Sequence, residues 1–224
     1  MNTSRTNATS ERAIADRIAS RYGTRRHRGY VRGKLRWDPV FAAVAPLFAG
    51  SPRALLDIGC GFGLLGQYLR ECGVDAPYRG IDVDAAKIDA ARAAAKAGNL
   101  DLELSVGSVD ALPSFSGDVA LLDVLHYLPR AEQQHAIADA ASHVAAGGLL
   151  VIRNVLRDRS WRFRATVIEE HISRTLGWMR CETGHFPSRE EIESPLNSAG
   201  FEVRAAPLWG RTPFNSWLIV ARRA

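Results

Sequence analysis

The stretch 54–66, which reads ALLDIGCGFGLLG, combines one acidic residue with four glycines. Asp57 closes a short apolar run, and Gly59, Gly61 and Gly63 follow at alternate positions. Because glycine has no Cβ, it permits a sharp turn and lets the backbone approach a bound molecule. The apolar segment that follows predicts a helix whose N-terminal amides face that molecule. The stretch therefore predicts a buried strand that ends at a ligand-binding loop.

Asp57 bears on which ligand the loop binds. Gly61, Gly63 and Gly66 formally satisfy the GxGxxG dinucleotide pattern, which is weak by itself. A carboxylate two residues before the first glycine suits a positively charged group better than a pyrophosphate. No Lys-Ser or Lys-Thr follows the loop, which excludes a P-loop. The alternative is that Asp57 only accepts hydrogen bonds from loop amides and that the glycines only make a tight turn.

Asp82 is a second carboxylate at the end of a predicted strand, 78–81, and lies twenty-three residues after Gly59. An acid at this spacing is well placed to accept ribose hydroxyls. Asp84 is expected to cap the next helix, at 85–97.

His126 and Tyr127 lie in the segment DVLHYLP, directly after the fourth predicted strand. Since an imidazole titrates near neutral pH, His126 is the predicted general base that takes a phenol or hydroxyl proton. Alternatively, His126 hydrogen-bonds the loop backbone or shapes the cleft without moving a proton. His185 is a second candidate base. Arg153, near the end of the fifth predicted strand, 149–155, either binds a substrate carboxylate or is an exposed structural arginine.

Positive charge is concentrated at the N-terminus. Residues 1–50 hold ten Lys or Arg against three acids, whereas the rest hold nineteen against twenty-one. The segment 21–37 carries seven of these cations and no acid, with aromatic residues between them. It is a solvated basic face, a lid in which Tyr30, Lys34 and Trp37 close over an anionic group, or an RNA-binding surface. All three interpretations stay open, although no recognised RNA-binding module accompanies the segment.

Length and composition indicate an ordinary globular chain. At 224 residues and 46% hydrophobic, the chain can bury one sizeable core. We expect a disordered tail at 1–10, a basic helical cap at 11–50 and the main domain at 51–224. No apolar stretch is long enough for a membrane span or signal peptide, so a cytoplasmic location is expected. The three cysteines are scattered, which argues against a disulfide framework or a metal site.

Two motifs together resemble the class I S-adenosylmethionine-dependent methyltransferases. They are DIGCGFG and GIDVDAAKIDAAR, and the resemblance extends from about residue 54 to 221. It implies an α/β fold, a seven-stranded doubly wound Rossmann-like sheet with the last strand antiparallel, here with a helical N-terminal cap. It also implies a cofactor site, in which the first acid and the glycines face the methionine part and the second acid faces the ribose. The residues carried over are Asp57, Gly59, Cys60, Gly61, Gly63, Asp82, Val83, Ser108, Val109 and Asp123.

Adenine recognition departs from the family pattern. The family often places an acid one residue after the glycine of this segment, where this chain has Ser108. Either Ser108 accepts the hydrogen bond from the adenine amino group or Asp110 does, and Val109 supplies a backbone amide.

The resemblance implies in-line methyl transfer, for which the protein mainly aligns the partners and excludes water. No metal is required. The strings RGYVRGKLRWDPVF and GRTPFNSWLIVARR resemble methyltransferases that accompany bacterial aryl-polyene and xanthomonadin-type pigment biosynthesis. That likeness implies a small aromatic acceptor, attached to a carrier or free, methylated on oxygen or ring carbon. The residues predicted to bind it are Tyr30, Lys34, Trp37, Tyr127 and Arg153.

Three other functions remain as alternatives. The basic N-terminal segment is compatible with an RNA methyltransferase, and the formal GxGxxG match with a nicotinamide-dependent oxidoreductase. A binding protein that keeps the cofactor site without catalysis is the third. The sequence predicts a small-molecule partner and no nucleic acid, and it does not indicate an oligomeric state.

Overall fold

The computed structural model describes residues 3–109, 112, 114–175, 185–210 and 212–224, with residues 3–9 and 169–175 described through their backbone only. Seven strands form a sheet in the order 3-2-1-4-5-7-6. This order confirms the predicted seven-stranded doubly wound α/β sheet. The chain divides into two compact units, residues 1–108 and 109–224.

The first unit contains three parallel strands and five helices. Leu55 pairs with Tyr78, and Arg79 pairs with Glu103, so the three strands end at the same edge of the sheet. The strands are β1 (Leu55–Ile58), β2 (Tyr78–Asp82) and β3 (Glu103–Val106), and the helices are α1 (Thr3–Ser20), α2 (Arg25–Trp37), α3 (Val40–Phe48), α4 (Leu64–Glu71) and α5 (Ala85–Ala97).

The second unit contains the other four strands, and three helices lie in its described part. Strand β5 runs parallel to β4, and β7 runs antiparallel to both β5 and β6, as predicted for the last strand. These strands are β4 (Asp118–Leu122), β5 (Leu149–Val155), β6 (Phe201–Pro207) and β7 (Ser216–Arg223), and the helices are α6 (Arg130–Ser142), α7 (Trp161–Thr175) and α8 (Arg189–Ser198).

Strands β1 and β5 are the most buried elements. All four residues of β1 and all seven residues of β5 are buried. Continuous burial is expected for strands covered on both faces, and it explains why both read as apolar runs. The polar residues within these runs, Asp57, Arg153 and Asn154, therefore need partners inside the protein.

Helix α1 extends into the segment 1–10, for which the sequence predicts a disordered tail. Helix α1 begins at Thr3 rather than at Glu11. No glycine or proline interrupts residues 3–20, and Arg5 and Ala8 are good helix formers, so the helix extends toward the N-terminus.

The basic segment forms a helix of its own, α2. The Thr24 side chain accepts a hydrogen bond from the His27 N–H at 3.0 Å and caps its start. Val31 and Leu35, four residues apart, are buried and hold the helix against the unit. The basic helical cap expected at 11–50 thus consists of most of α1 together with α2 and α3.

Several cations of this segment are engaged within the cap. Arg32 and Arg36 both contact the carboxylate of Asp16, at 2.7 and 2.6 Å. Lys34 lies 2.6 Å from Asp38. Exposed ion pairs contribute little stability individually, but two arginines on one carboxylate fix α2 against α1. The basic character of the segment is therefore partly structural.

Helix α8 continues through Pro195, although a proline inside a helix usually kinks or breaks it. The helix begins with a capping box, in which Ser188 and Glu191 exchange side-chain hydrogen bonds with each other's backbone N–H. Proline lacks the N–H that would bond to the Glu191 carbonyl four residues earlier. The side chain of Gln134 donates to that carbonyl at 2.9 Å instead. This replacement keeps the carbonyl satisfied.

Throughout the part of the chain that the structure describes, no helix has the length and apolar character needed to cross a membrane.

Candidate functional site

The glycine loop between β1 and α4 is built on left-handed backbone. Gly59, Gly61 and Gly63 have φ values of +74°, +54° and +67°. Residues with a Cβ rarely adopt this region, so glycine at each position follows from the backbone geometry. The loop is held at its start because the N–H groups of Gly59 and Cys60 bond to the Ile81 carbonyl at 2.8 and 2.9 Å.

Asp57 is buried and bonded to a phenol. Only 2% of Asp57 is exposed, and the Tyr78 hydroxyl donates to its Oδ2 at 2.5 Å. Burial raises the pKa of Asp57 to about 7, the Tyr78 hydrogen bond acts to lower it, and the charge of Asp82 raises it further. Among the described contacts, the partner of Asp57 is this phenol rather than a loop amide. The alternative in which loop amides hold the carboxylate therefore lacks support.

Asp82 joins the glycine loop to the end of β2. Its Oδ2 accepts the Gly61 N–H at 2.8 Å, and its Oδ1 accepts the Asp84 N–H at 2.9 Å. Each carboxylate oxygen has a second lone pair, so both can still accept a ligand hydroxyl. Val83 is 72% exposed, and Val106, which is in register with Asp82, is 52% exposed. A carboxylate flanked by exposed apolar side chains suits a ribose joined to a flat apolar base.

Ser108 and Val109 follow β3 and are partly exposed. The other candidate for the adenine amino group, Asp110, lies outside the described residues. Adenine binding by either Ser108 or Asp110 stays a prediction.

Cys60 and Gly66 have packing roles. A Cβ added at Gly80 would lie 2.8 Å from the Cys60 sulfur, so the thiol occupies the space that this glycine leaves. Burial raises the pKa of Cys60, which makes it a poor nucleophile. A Cβ at Gly66 would lie 2.8 Å from the Tyr78 ring. The third glycine of the dinucleotide-like pattern is thus required by the ring that bonds to Asp57.

The electrostatics of the loop favour a cationic ligand. The charge of Asp82 raises the pKa of Asp57, and both acids raise the pKa of the Cys60 thiol that lies between them in sequence. A pyrophosphate would add negative charge to this group, whereas a sulfonium or ammonium group would relieve it. Among the described residues, no cluster of His, Cys, Asp and Glu could hold a metal ion.

In the second unit, His126 is oriented by an asparagine. It lies on the short helical turn Leu125–Tyr127 and is 8% exposed. Its Nδ1 lies 2.9 Å from Oδ1 of Asn154, and Nδ2 of Asn154 donates to the Val155 carbonyl at 2.8 Å. Because the second bond fixes the amide with its oxygen toward the ring, Nδ1 carries the proton and Nε2 has the lone pair of the neutral ring. This is the tautomer that a general base acting through Nε2 requires.

Gln133 fixes the turn that carries His126. Its buried side-chain amide lies 2.9 Å from the Leu125 carbonyl, 3.0 Å from the Leu128 carbonyl and 2.7 Å from the His185 carbonyl. Through Gln133, the segment that begins at His185 is joined to the turn that carries His126.

Aromatic rings surround the His126 imidazole. The Tyr127 ring lies 4.2 Å away, and Phe186 stacks on the imidazole at 6.0 Å. Phe163 meets Phe186 edge-on at 5.5 Å. The surroundings of His126 are therefore mainly aromatic within this unit.

Arg153 forms an internal ion pair. Its guanidinium contacts the Asp123 carboxylate and donates to the Ser216 hydroxyl at 3.0 Å. Asp123 has a left-handed backbone, with φ of +60°, and its N–H bonds to the Arg153 carbonyl at 2.8 Å. Arg153 is only 8% exposed, so the alternative of an exposed structural arginine is wrong.

His185 belongs to a cluster around Glu191. Its Nε2 lies 3.4 Å from Oε2 of Glu191, and Arg130 and Arg157 approach the same carboxylate at 2.7 and 3.3 Å. Burial acts to raise the pKa of Glu191, but hydrogen bonds from Ser188 and His185, with the arginines, hold it low at about 2. This position favours a structural role for His185 at the start of α8 over that of a base.

The residues predicted to line a lid lie on one face of α2. Tyr30 is 53% exposed with its ring 5.4 Å from that of Phe62 in the glycine loop, and Trp37 is 64% exposed. Lys34 is held by Asp38. Tyr127, in the second unit, is 40% exposed.

Residues 55–148 match the family model described as a methyltransferase domain. A ubiquinone biosynthesis O-methyltransferase of Sinorhizobium fredii is 28% identical over 152 residues, which cover 66% of this chain and 60% of that protein. A ribosomal protein L11 methyltransferase of Burkholderia vietnamiensis is 31% identical over 46% of this chain and 32% of its own length. The chain thus spans at most three fifths of these two relatives.

A solved structure extends the likeness to the whole fold. Magnesium protoporphyrin IX methyltransferase of Synechocystis, with bound S-adenosylhomocysteine, superposes with a TM-score of 0.64 at 20% identity, covering 93% of this chain and 94% of that one. The chain has the fold of a class I methyltransferase. Together, these findings show a methyltransferase-domain match over residues 55–148 and a methyltransferase-like fold.

Sequence reasoning missed the residues that orient the candidate site residues. Tyr78 holds Asp57, Asn154 holds His126, and Gln133 holds the turn. Asn154 within a buried strand and Gln133 on the buried face of α6 are signals that could have marked them, since buried polar side chains need partners. Tyr78 gives no such signal, because an aromatic residue at the start of a strand is common.

Proposed function

We propose that the protein is an S-adenosylmethionine-dependent methyltransferase that acts on a small molecule. One observation carries this proposal. Two carboxyl groups, Asp57 and Asp82, lie beside a glycine loop whose left-handed backbone leaves it without side chains at three positions. That arrangement suits a cofactor with a positively charged methionine part and a ribose, and it disfavours a pyrophosphate.

The cofactor residues fall in two groups. Asp57, Gly59, Cys60, Gly61 and Gly63 would hold the methionine part, the last four through their backbone. When bound, the cofactor supplies a sulfonium-activated methyl group, so the protein needs no strong electrophile of its own.

The adenosine part would be held at the ends of β2 and β3. Asp82 would accept the ribose hydroxyls, and Val83 would pack against the base. Ser108 and Val109 would bind the adenine edge. Asp123 was also predicted to bind the cofactor. Arg153 contacts its carboxylate, so Asp123 would have to bind the ligand from within this ion pair.

His126 is the proposed base. Held by Asn154 with Nε2 as the acceptor nitrogen, it can take a proton from a phenol or hydroxyl of the acceptor. The imidazole is buried, with the aromatic rings of Tyr127 and Phe186 beside it. A positioned general base contributes about a hundredfold to ten-thousandfold to the rate.

An aromatic acceptor would have exposed aromatic side chains to contact in each unit taken by itself. Tyr30, Trp37 and Tyr127 are large aromatic side chains with 40% or more of their surface exposed. Two of the similar proteins are described as acting in ubiquinone biosynthesis and on magnesium protoporphyrin IX. Lys34 and Arg153 already hold Asp38 and Asp123, so an acceptor carboxylate would have to replace an internal partner at either residue.

Attachment of the acceptor to a carrier, a role in pigment biosynthesis and a cytoplasmic location stay predictions from the sequence. The chain also partly matches a ribosomal protein methyltransferase. An assay must therefore test a protein acceptor as well as a small molecule.

The rivals each meet a specific objection. An RNA methyltransferase would use the basic segment, but Arg32, Lys34 and Arg36 hold internal carboxylates. An oxidoreductase would place a pyrophosphate beside Asp57 and Asp82. A binding protein without catalysis would have no use for a histidine fixed in one tautomer.

A labelling experiment tests transfer and identifies the acceptor. The protein is incubated with methyl-labelled S-adenosylmethionine and fractionated lysate, with and without nuclease or protease treatment. We expect a labelled small molecule that survives both treatments. Label lost with nuclease or with protease would instead favour RNA or protein, and the absence of any label from a protein that binds the cofactor would favour the binding protein.

A further inference from the structure

Phe62, in the middle of the glycine loop, is surrounded by rings from the N-terminal cap. The ring centroids of Tyr22, His27 and Tyr30 lie 5.9, 5.0 and 5.4 Å from that of Phe62. Tyr22 follows α1, and the other two residues lie on α2. The flanking residues, Gly61 and Gly63, have no side chain, so Phe62 is the side chain through which the cap contacts this part of the loop.

Hydrogen bonds also join the cap to the loop backbone. The Tyr22 hydroxyl donates to the Phe62 carbonyl at 2.5 Å and accepts from Nε2 of Gln67, on α4, at 2.6 Å. Tyr22 is 3% exposed and Gln67 is fully buried. Burial raises the pKa of Tyr22, so its hydroxyl keeps the proton that it donates.

Ion pairs hold the cap on the helix that follows the loop. Arg17 and Arg21, on and directly after α1, both contact the carboxylate of Glu71 at the end of α4. Arg21 also donates to Oε1 of Gln67 at 3.3 Å. Gln67 is therefore held at both ends of its amide by residues of the cap. Helix α2 is fixed in turn by the two arginines on Asp16.

These contacts act on the glycine loop, whose ordering costs much conformational entropy. Glycine loses more conformational freedom on ordering than any other residue, and this loop has glycine at three alternate positions. A loop that must be ordered when the ligand binds lowers the affinity, and a loop held in the bound shape beforehand does not.

We propose that the cap is a clamp that pre-orders the cofactor loop, with Tyr22 as a positioning residue that fixes Phe62 by its hydroxyl and ring. The proposal rests on the proposed function, since it assigns the cap a role at the same cofactor loop. The basic segment then serves the cofactor site by holding the clamp in place, through Arg21, Arg32 and Arg36, which contact internal carboxylates.

The test compares Tyr22→Phe with Tyr68→Phe. Both variants remove one hydroxyl from a buried tyrosine of the first unit, but Tyr68 lies on α4 with its ring against Phe41. The readouts are hydrogen exchange of loop amides 59–63 in ligand-free protein and the affinity for S-adenosylhomocysteine by calorimetry. For Tyr22→Phe we expect faster loop exchange and about tenfold weaker binding, because the buried amide of Gln67 also loses its acceptor. Tyr68→Phe should change neither quantity.

The proposal is overturned if Tyr22→Phe exchanges its loop amides and binds as the unmodified protein does. If that variant does not fold, Phe62→Leu decides instead, since it removes the ring contacts while keeping an apolar side chain. Unchanged loop exchange in Phe62→Leu would also overturn the clamp. Should the unmodified protein bind no S-adenosylhomocysteine, the proposed function fails, and the exchange comparison still tests the clamp separately.

Discussion

The Tyr78 hydroxyl lies 2.5 Å from Oδ2 of Asp57, and both side chains are buried. The ring of Tyr78 occupies the space above Gly66, so the residue that orients the carboxylate also sets the approach of α4 to β2. A packing contact and a proposed binding residue are thereby coupled. The proposed cofactor-binding residues of the first unit depend on this coupling.

Replacement of Asp57 changes how stability depends on pH. In the folded ligand-free protein, the Asp57 carboxyl has a pKa of about 7, whereas in the unfolded chain it ionises near pH 4. Between these values the unfolded state binds fewer protons, so stability falls as pH rises from about 4 to 7 and this fall stops above 7. Its slope is at most about 1.4 kcal/mol per pH unit. Urea unfolding of ligand-free protein at several pH values should show this decline, and Asp57→Asn should lack it.

The matched control for that series is Asp101→Asn, at an exposed position. It should keep the pH dependence of the unmodified protein. If the stability of Asp57→Asn depended on pH as that of the unmodified protein does, the pKa of Asp57 would not be raised in the folded state.

Gly66→Ala should destabilise the protein by about 1–3 kcal/mol, because the new methyl group would overlap the Tyr78 ring in a packed interior. Gly29→Ala is its control, since Gly29 lies within α2 and an added Cβ meets no atom within 4 Å. That change should be neutral or stabilise by up to about 1 kcal/mol, the helix propensity difference. Thermal and chemical unfolding measure both. A stability loss at Gly29 as large as that at Gly66 would contradict the packing role.

His126→Gln should lower turnover about a hundredfold or more while leaving the affinity for S-adenosylhomocysteine unchanged. The control is His135→Gln on the exposed side of α6. Once the labelled acceptor is known, turnover at saturating cofactor measures both variants. If His126→Gln keeps turnover within about threefold, a general-base role is excluded, since such a role contributes far more.

Asn154→Leu tests whether the asparagine acts through the histidine. Loss of the amide oxygen leaves the tautomer of His126 unfixed, so turnover should fall and the pH profile of turnover should shift. A purely structural change would not shift the pH profile. Asn154→Asp, which keeps an acceptor oxygen toward Nδ1, should restore part of the rate. An unshifted pH profile in Asn154→Leu would argue that the two residues do not work together.

Arg153→Met leaves the Asp123 carboxylate without its guanidinium in a mostly buried position. Removing one partner of a buried pair typically costs about 3–5 kcal/mol, so unfolding should occur at clearly lower denaturant concentration. Arg153→Lys should lose less, because the charge remains. An Arg153→Met variant with normal stability and a raised KM for the acceptor would instead favour the predicted role in acceptor binding.

Local rules predicted the main elements of the fold from the sequence. The helix at 85–97 and the strand at 149–155 have the bounds that we expected, because Asp84 caps one and a continuous apolar run defines the other. Helix α2, which Thr24 caps, was not predicted as a separate element. Its sequence is dominated by cations, and only Val31 and Leu35 of the helix are buried. Local rules do not predict that α8 continues through Pro195, because the Glu191 carbonyl that this proline leaves free accepts a hydrogen bond from Gln134, a residue distant in sequence.

The site divides in the same way. The glycines and the two acids were predictable because their spacing reflects backbone geometry within one strand–loop–helix unit. The residues that hold them were not, since the contacts of Tyr78 with Asp57, Tyr22 with Phe62 and Asn154 with His126 join segments 21 to 40 positions apart. Such pairs are set by tertiary packing, and single-sequence periodicity does not contain them.

Calorimetric titration of the protein with S-adenosylhomocysteine, in parallel with NADH, tests the central claim most directly. The account predicts saturable binding of S-adenosylhomocysteine, no heat with NADH, and binding at least about tenfold weaker in Asp57→Asn, as expected for loss of a hydrogen bond to a charged group. Saturable NADH binding, with no heat from S-adenosylhomocysteine at millimolar concentration, would contradict it.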